Sequence, residues 1–407
     1  MNILIVNAHS SKNKGDAGII LSMIDSLKKN IPHSNIKIKS RFPEIDKSTY
    51  DVLVHECAAN ISVDPDESKV TKVLSALKML NLIYSKNQKI DEDYKWADVV
   101  VSCGGGFLLS HRFSPALLQH LAQLKLAFDY NKPVVIYAQS IGPFYNSIMQ
   151  KVSKRILNRV DSIFIRENIS KQWLEKIGCT NENITVVSDS AFCMLDKQSD
   201  YVDQLFSKIK DSHKGPIIGL TARDWNFPEM ENRELHRKKY VESMQKVIIH
   251  LEEHYNAKVL LMPQVLGPNN FNDDRIISRE ILNGIDSKYS ELIDYDFNPR
   301  ELKYFYSKLD MFIGTRMHSN IFSLSSYVPT VAINYEHKTR GIMELLDLEE
   351  YVLEINEITP NDLIATSERC WNERHLLKER LEVQIPQVLD NAEIPAKYIA
   401  DLNKVRS

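Results

Sequence analysis

A chain of 407 residues exceeds what one ordinary core holds and predicts two domains. Its net charge of −3 excludes a general nucleic-acid binder, and no run approaches the roughly 18 apolar residues of a membrane span. The amino terminus lacks a basic leader, and the five cysteines (Cys57, Cys103, Cys179, Cys193, Cys370) form no Cys-x-x-Cys pair, so the expectation is a cytoplasmic protein with reduced thiols and no zinc site.

In the first half, strand-like and helix-like patterns alternate, the signature of an α/β fold on a parallel sheet. Strands are predicted at 3–6, 51–55, 98–102, 133–138, 162–166 and 184–187, with helices at 19–27, 70–84, 115–130, 148–159 and 171–177. Residues 201–215 are polar and lysine-rich and read as the crossover to a second unit. There the alternation restarts, with strands at 217–221, 257–262, 291–293, 311–314 and 330–333 and helices at 240–254, 275–282, 300–308 and 319–327. From about residue 361 the tail is helical and charged. Two Rossmann-like domains, 1–205 and 206–360, facing a cleft and followed by a tail at 361–407, explain this layout.

The stretch Leu309-Asp-Met-Phe-Ile-Gly314-Thr-Arg316-Met-His318-Ser319 carries the most chemistry. It reads as a buried strand, a turn at Gly314 and a helix beginning near Ser319. Arg316 and His318 then stand at a helix N-terminus, which favours anions. An arginine fork adds bidentate recognition of carboxylate or phosphate, and a histidine can hold or move a proton. Residues 97–106 echo this segment, since both are expected to run from strand through glycine turn to helix.

Other strand-end loops supply further candidates. Lys12-Asn-Lys-Gly15-Asp16 follows the first strand; Asp16 is either a helix cap or a functional carboxylate, and the dinucleotide fingerprint is absent. Gly104-Gly105-Gly106 either admits a ligand or marks a close packing contact. Gln139-Ser140-Ile-Gly142-Pro143 offers amide and hydroxyl groups to a polyol. Arg166 either binds an anion or pairs with Glu167. Arg223 is either an anion ligand or paired with Asp224, with Trp225 beside it. Residues 262–268, containing Gln264, precede an Asp273-Asp274 pair read as a helix cap. Tyr335 and Lys338 follow the strand after the Arg316 turn, where Lys338 reaches toward the same anion.

The ordered set Asn13-x-Gly15-Asp16, Gly104–Gly106, Gln139-Ser-x-Gly142-Pro143, Arg166-x-x-x-Ser170, Arg223, Gly314-x-Arg316-x-His318-Ser319 and Tyr335-x-x-Lys338 resembles the polysaccharide pyruvyl transferase family over roughly residues 1–350. The resemblance implies a GT-B-like pair of Rossmann-like domains. It also implies transfer of pyruvate from phosphoenolpyruvate, as a ketal, to a sugar of a cell-surface glycan or its lipid-linked precursor. Arg223, Arg316 and His318 would contact the donor, with Ser319 and Lys338 beside them, and Asp16 and Arg166 match other important positions.

That chemistry suits the residues. Phosphoenolpyruvate carries a carboxylate and a phosphate, matching two arginines, a lysine and a helix N-terminus. His318 is expected to supply a proton and Asp16 to accept one from the sugar hydroxyl. Phosphoenolpyruvate would be a co-substrate, with no cofactor or metal, and a lipid-linked acceptor would bring the protein to the inner membrane face. The rival readings are a nucleotide-sugar glycosyltransferase of the same architecture, with Glu336 as a loose ribose ligand, and a non-catalytic glycan-assembly subunit.

Overall fold

The computed structural model describes residues 1–58, 60, 69–85, 91–267 and 272–406. The chain divides into two compact units, the first comprising Met1–Ser11, Ile19–Met194 and Asp390–Ser407, the second Lys12–Gly18 and Leu195–Leu389. This division differs from the expected 205/206 boundary and separate tail. A short amino-terminal stretch goes with the second unit, and only the end of the tail returns to the first.

In the first unit and its flanks the order is β1 Asn2–Ala8, α1 Lys14–Asn30, β2 Asn35–Ser40, α2 Pro43–Asp46, β3 Leu53–Glu56, α3 Lys69–Tyr84, α4 Glu92–Trp96, β4 Val99–Ser102, β5 Gly105–Ser110, α5 Pro115–Asp129, β6 Val134–Phe144, α6 Ser147–Leu157, β7 Ser162–Ile165, α7 Asn168–Lys176 and β8 Ile184–Val186. Among the described residues these strands make a parallel sheet ordered β3-β2-β1-β4-β6-β7-β8, with β5 pairing to β6. Strands β1, β4 and β6 read as near-continuous apolar runs because helices cover both faces of such a sheet. Leu4, Val6, Val100 and Ile136 pack with Leu118 and Leu121 of α5 in one core.

The second unit holds α8 Asp200–Ser212, β9 Ile217–Thr221, α9 Arg233–Tyr255, β10 Lys258–Leu261, α10 Asp274–Asn283, β11 Glu291–Leu292, α11 Pro299–Tyr306, β12 Met311–Gly314, α12 Met317–Leu324, β13 Thr330–Asn334, α13 His337–Leu345, β14 Val352–Glu354 and α14 Pro360–Asn372. Helices α15 Arg374–Ala392 and α16 Ile394–Arg406 end the chain. The second sheet is parallel, ordered β11-β10-β9-β12-β13-β14. Counted within its unit this is the 3-2-1-4-5-6 order of a Rossmann-type sheet, whose ligands lie at the carboxyl ends of the strands.

Three further expectations change. The polar crossover at 201–215 is largely the helix α8, which buries only Val202 and Ile209. That narrow apolar stripe, with lysines around it, hides the helical period. Tyr304 and Lys308 hold it through Asp203, at 2.9 and 2.7 Å. After Gly104 the chain enters β5 and reaches a helix only at Pro115, so the echo with the Arg316 turn stops at the glycines. Helix α12 begins at Met317, ahead of the predicted Ser319, with Arg316 as its N-cap residue.

Candidate functional site

The carboxyl ends of β9, β10, β12 and β13 in the second unit present Arg223, Gln264, Arg316 and Tyr335. A pocket of about 460 Å³ opens there, walled by Arg223, Trp225, Arg237, Asp274, Ile276 and Arg316 among others. Of the predicted donor residues, Arg223 and Arg316 line it; His318, Ser319 and Lys338 do not.

The two arginines are held differently. The Arg223 guanidinium lies 4.1 Å from the Tyr335 ring centre and 4.8 Å from that of Trp225, a double cation–π arrangement. Asp224 pairs with Arg237 at 2.8 Å, which corrects the expected Arg223–Asp224 alternative. No ion pair meets the Arg223 charge among the described residues. Arg316, by contrast, turns its Nε to both Asp274 oxygens at 3.2 and 3.1 Å and its Nη2 to one of them. Burial lowers the Arg316 pKa, but the Asp274 carboxylate outweighs it and holds the value above normal.

Asp274 is therefore not the helix cap that the sequence reading made of the Asp273-Asp274 pair; Asp273 alone caps α10, accepting from the Arg275 N–H at 3.0 Å. The buried Asp274 carboxylate also accepts from the Gln264 and Val265 N–H groups at 3.2 and 2.9 Å, tying three elements together. Sequence reading missed it because an aspartate beside a capping aspartate carries no local mark of its long-range partner. Tyr240 was missed for the same reason. Its hydroxyl accepts from the Arg223 N–H at 3.2 Å and meets the Thr315 hydroxyl at 2.8 Å, bracing both arginine-bearing strand ends. Burial pushes this phenol up to about 12, so it stays neutral.

Ser319 is fully buried. Its hydroxyl donates to the Arg316 carbonyl at 2.6 Å and meets that of Thr221 at 2.8 Å, a pin within the fold where a donor ligand was expected. Lys338, on α13, stands 3.6 Å from Glu336. The Gln264 side chain accepts from the Tyr306 hydroxyl at 3.2 Å. Pro268 of its loop lies outside the described residues.

Lys12–Gly18 docks onto this same unit. Asn13 and Val265 form an antiparallel bridge, the Lys14 N–H donates to the Gln264 carbonyl at 3.1 Å, and Lys12 and Lys14 both pair with Asp296. Asn13 does the capping that was one of the two alternatives for Asp16: its side-chain oxygen accepts from the Gly15 N–H at 3.0 Å, and its amide donates to Asp16 at 2.9 Å. A Cβ on Gly15 would overlap the His318 ring, whose Cγ and Cβ would stand 2.6 and 2.8 Å away. Only glycine lets this loop lie against the histidine.

The remaining predicted residues belong to the first unit. Arg166 pairs with Asp189, not Glu167, and donates to the Ser140 hydroxyl through Nε and Nη2 at 3.2 and 2.7 Å. Glu167 accepts from Ser140 at 3.0 Å and from Ser170. Gln139 is fully buried. Gly104 answers to packing, since a Cβ there would come 2.8 Å from the Tyr137 carbonyl. Gly105 has φ +131°, which only glycine adopts readily, and Gly106 is exposed. Among the described residues no group of three His, Cys, Asp or Glu side chains is placed to hold a metal ion.

Two parallel sheets of Rossmann-type order, the second with an arginine-lined pocket at its strand ends, define a two-domain α/β protein of GT-B architecture. Solved structures of that architecture are similar along almost the whole chain. A putative UDP-N-acetylglucosamine 2-epimerase from Listeria monocytogenes matches with TM-score 0.61 and 12% identity over 98% of this chain and 94% of its own. The UDP-GlcNAc 2-epimerase of Neisseria meningitidis gives 0.58 and 14% over 98% and 99%. A glycosyltransferase from Rickettsia africae gives 0.55 and 14% over 99% and 97%. At such identities the likeness speaks for the fold alone.

Residues 13–337 match the family described as polysaccharide pyruvyl transferase, and the chain belongs to that family of transferases of polysaccharide biosynthesis. It is also 26% identical to the amylovoran biosynthesis protein AmsJ of Erwinia amylovora, over 99% of each chain. Among the described residues no helix is long and apolar enough to cross a membrane.

Proposed function

We propose that the protein transfers a pyruvate ketal from phosphoenolpyruvate to two hydroxyls of a sugar in a polysaccharide or its lipid-linked precursor, with the donor held in the second unit. The observation that carries this reading is Arg223: a permanent charge resting against two adjoining rings, Tyr335 and Trp225, on the wall of a pocket that Arg316 also lines. A small dianion is the ligand such a wall takes, its carboxylate or phosphate meeting the arginine fork.

The chemistry balances with the residues at hand. A sugar hydroxyl attacks C2 of phosphoenolpyruvate as the methylene carbon gains a proton. The C2–O bond to phosphate then breaks, inorganic phosphate leaves with a proton, and the second hydroxyl adds to close the ketal. His318 would deliver a proton to the methylene carbon or the departing phosphate, and Asp16 would take one from the sugar hydroxyl. Arg223 and Arg316 would stabilise the phosphate as charge develops on it. An acceptor attached to lipid would bring the protein to the inner membrane face.

Calorimetric titration with phosphoenolpyruvate, UDP and GDP tests the donor. Arg223→Ala is the variant of choice, since removing Arg316 would leave a buried Asp274 charge unpaired. Phosphoenolpyruvate binding weakened about tenfold or more in Arg223→Ala is the expected result. Binding of UDP or GDP without phosphoenolpyruvate would refute the assignment.

A further inference from the structure

A second arginine site lies in the first unit, among residues the donor chemistry does not use. Strands β1 and β2 run parallel with Ala8 opposite Ser40, and the next residue along each is His9 and Arg41. Both therefore emerge at the carboxyl edge of that sheet, where ligands of such folds bind. Arg41 Nε and Nη2 and His9 Nε2 are shielded from solvent and make no hydrogen bond among the described residues.

The identity of those atoms is informative. Nε and Nη2 form the edge of a guanidinium that receives a carboxylate or phosphate side-on. Arg275, Arg316 and Arg340 each turn that edge to an aspartate or glutamate. Arg41 turns it to none among the described residues. The titratable groups that feel its charge are neutral, and the Asp46 carboxylate, at the same strand ends, is taken up by Ser11 and Ser40. Burial first, and then the Arg41 charge, push the His9 imidazole down to about 4, and burial holds His120 well below its usual range. The Cys57 thiol, raised to about 12 by burial, stays protonated. His9, Phe107 and His120 pack ring against ring, with centres 4.5 to 5.2 Å apart, so they give the arginine a rigid, uncharged surround. The guanidinium keeps its proton, and among the described residues its two shielded nitrogens find no acceptor to replace the water they have lost.

We propose that Arg41, beside His9, binds an oxyanion carried by the acceptor: the diphosphate of a lipid-linked sugar or the carboxylate of an acidic sugar. The assignment to the acceptor rests on the pyruvyl-transfer reading; the anion site itself does not.

The test uses Arg223→Ala protein, in which the donor pocket is weakened, titrated with inorganic pyrophosphate and with glucuronate. At least one should bind and raise the melting temperature, pyrophosphate marking a diphosphate acceptor and glucuronate an acidic sugar. Adding Arg41→Met should weaken that binding about tenfold or more while leaving the ligand-free melting temperature equal or higher, because an unpaired charge is replaced by an apolar stem. Absence of binding by both anions would overturn the proposal, as would a response unaffected by Arg41→Met. So would a lower ligand-free melting temperature in Arg41→Met, which would show the charge to be met within the fold. Loss of phosphoenolpyruvate binding in Arg223→Ala is read separately, so the donor assignment and the Arg41 anion site fail independently.

Discussion

Arg223 and Arg316 bring the same charge to one pocket and are held by opposite means. Aromatic faces cushion Arg223 and leave its fork available; Asp274 occupies the fork of Arg316. Because Asp274 is 2% exposed, Arg316 neutralises a carboxylate that water hardly reaches. Asp274→Ala is therefore expected to cost about 3–5 kcal/mol, read from urea unfolding, as for a buried pair broken on one side. A loss below about 1 kcal/mol would mean that the pair is already solvated. The sequence shows both arginines plainly at strand ends. It cannot show which is clamped, since Asp274 is distant in the chain and stands beside the aspartate that does cap.

At the scale of elements, the stretch from Lys12 to Gly18 is a loop and first helical turn held by backbone pairing with Gln264 and Val265, by Gly15 against His318, and by both lysines on Asp296. Gly15→Ala would push the His318 ring aside without touching the core. Turnover is expected to fall within the range a proton-transfer group supplies, about 10²–10⁴-fold, with the unfolding midpoint nearly unchanged. Unaltered turnover would detach His318 from the chemistry. For Asp296, burial alone would raise the pKa, but hydrogen bonds from Lys12 and Lys14 outweigh it and hold the carboxyl below its usual range. A depressed folded-state value stabilises fully above the ordinary carboxylate pKa and loses that contribution as pH falls through the folded value. Stability of the native protein should thus drop between about pH 5 and pH 2 more steeply than that of Asp296→Asn. Parallel curves would show the latch to be electrostatically idle. The motif Asn13-x-Gly15-Asp16 stands out in the sequence, yet its docking does not, because Gln264, His318 and Asp296 meet it only through the fold.

For the whole molecule, the chain leaves its first unit and returns to it at the end. Ala396 and Ile399 are fully buried there, Glu393 pairs with Lys29, and Tyr398 packs edge-on against Phe164. Truncation after Leu389 should raise amide exchange in β7 and its neighbours of the first unit while leaving β9 and β12 of the second protected. Equal loosening of both units would show that they unfold together. The sequence reads this tail as one charged helical appendage, because periodicity reports that a helix has an apolar stripe but not which unit it covers.

Local pattern was enough for two parallel-sheet units, nearly every central strand and the loops that carry arginine, histidine and glycine. Apolar runs and strand-end glycines are short-range signals, and a parallel sheet puts its chemistry at predictable ends. Only tertiary structure decided the partners: Asp274 on Arg316, Tyr335 and Trp225 on Arg223, Asp189 on Arg166, and for the Nε and Nη2 of Arg41 none among the described residues. Charge and burial are settled by residues tens to hundreds of positions apart, and no spacing rule along one chain encodes which of them meet.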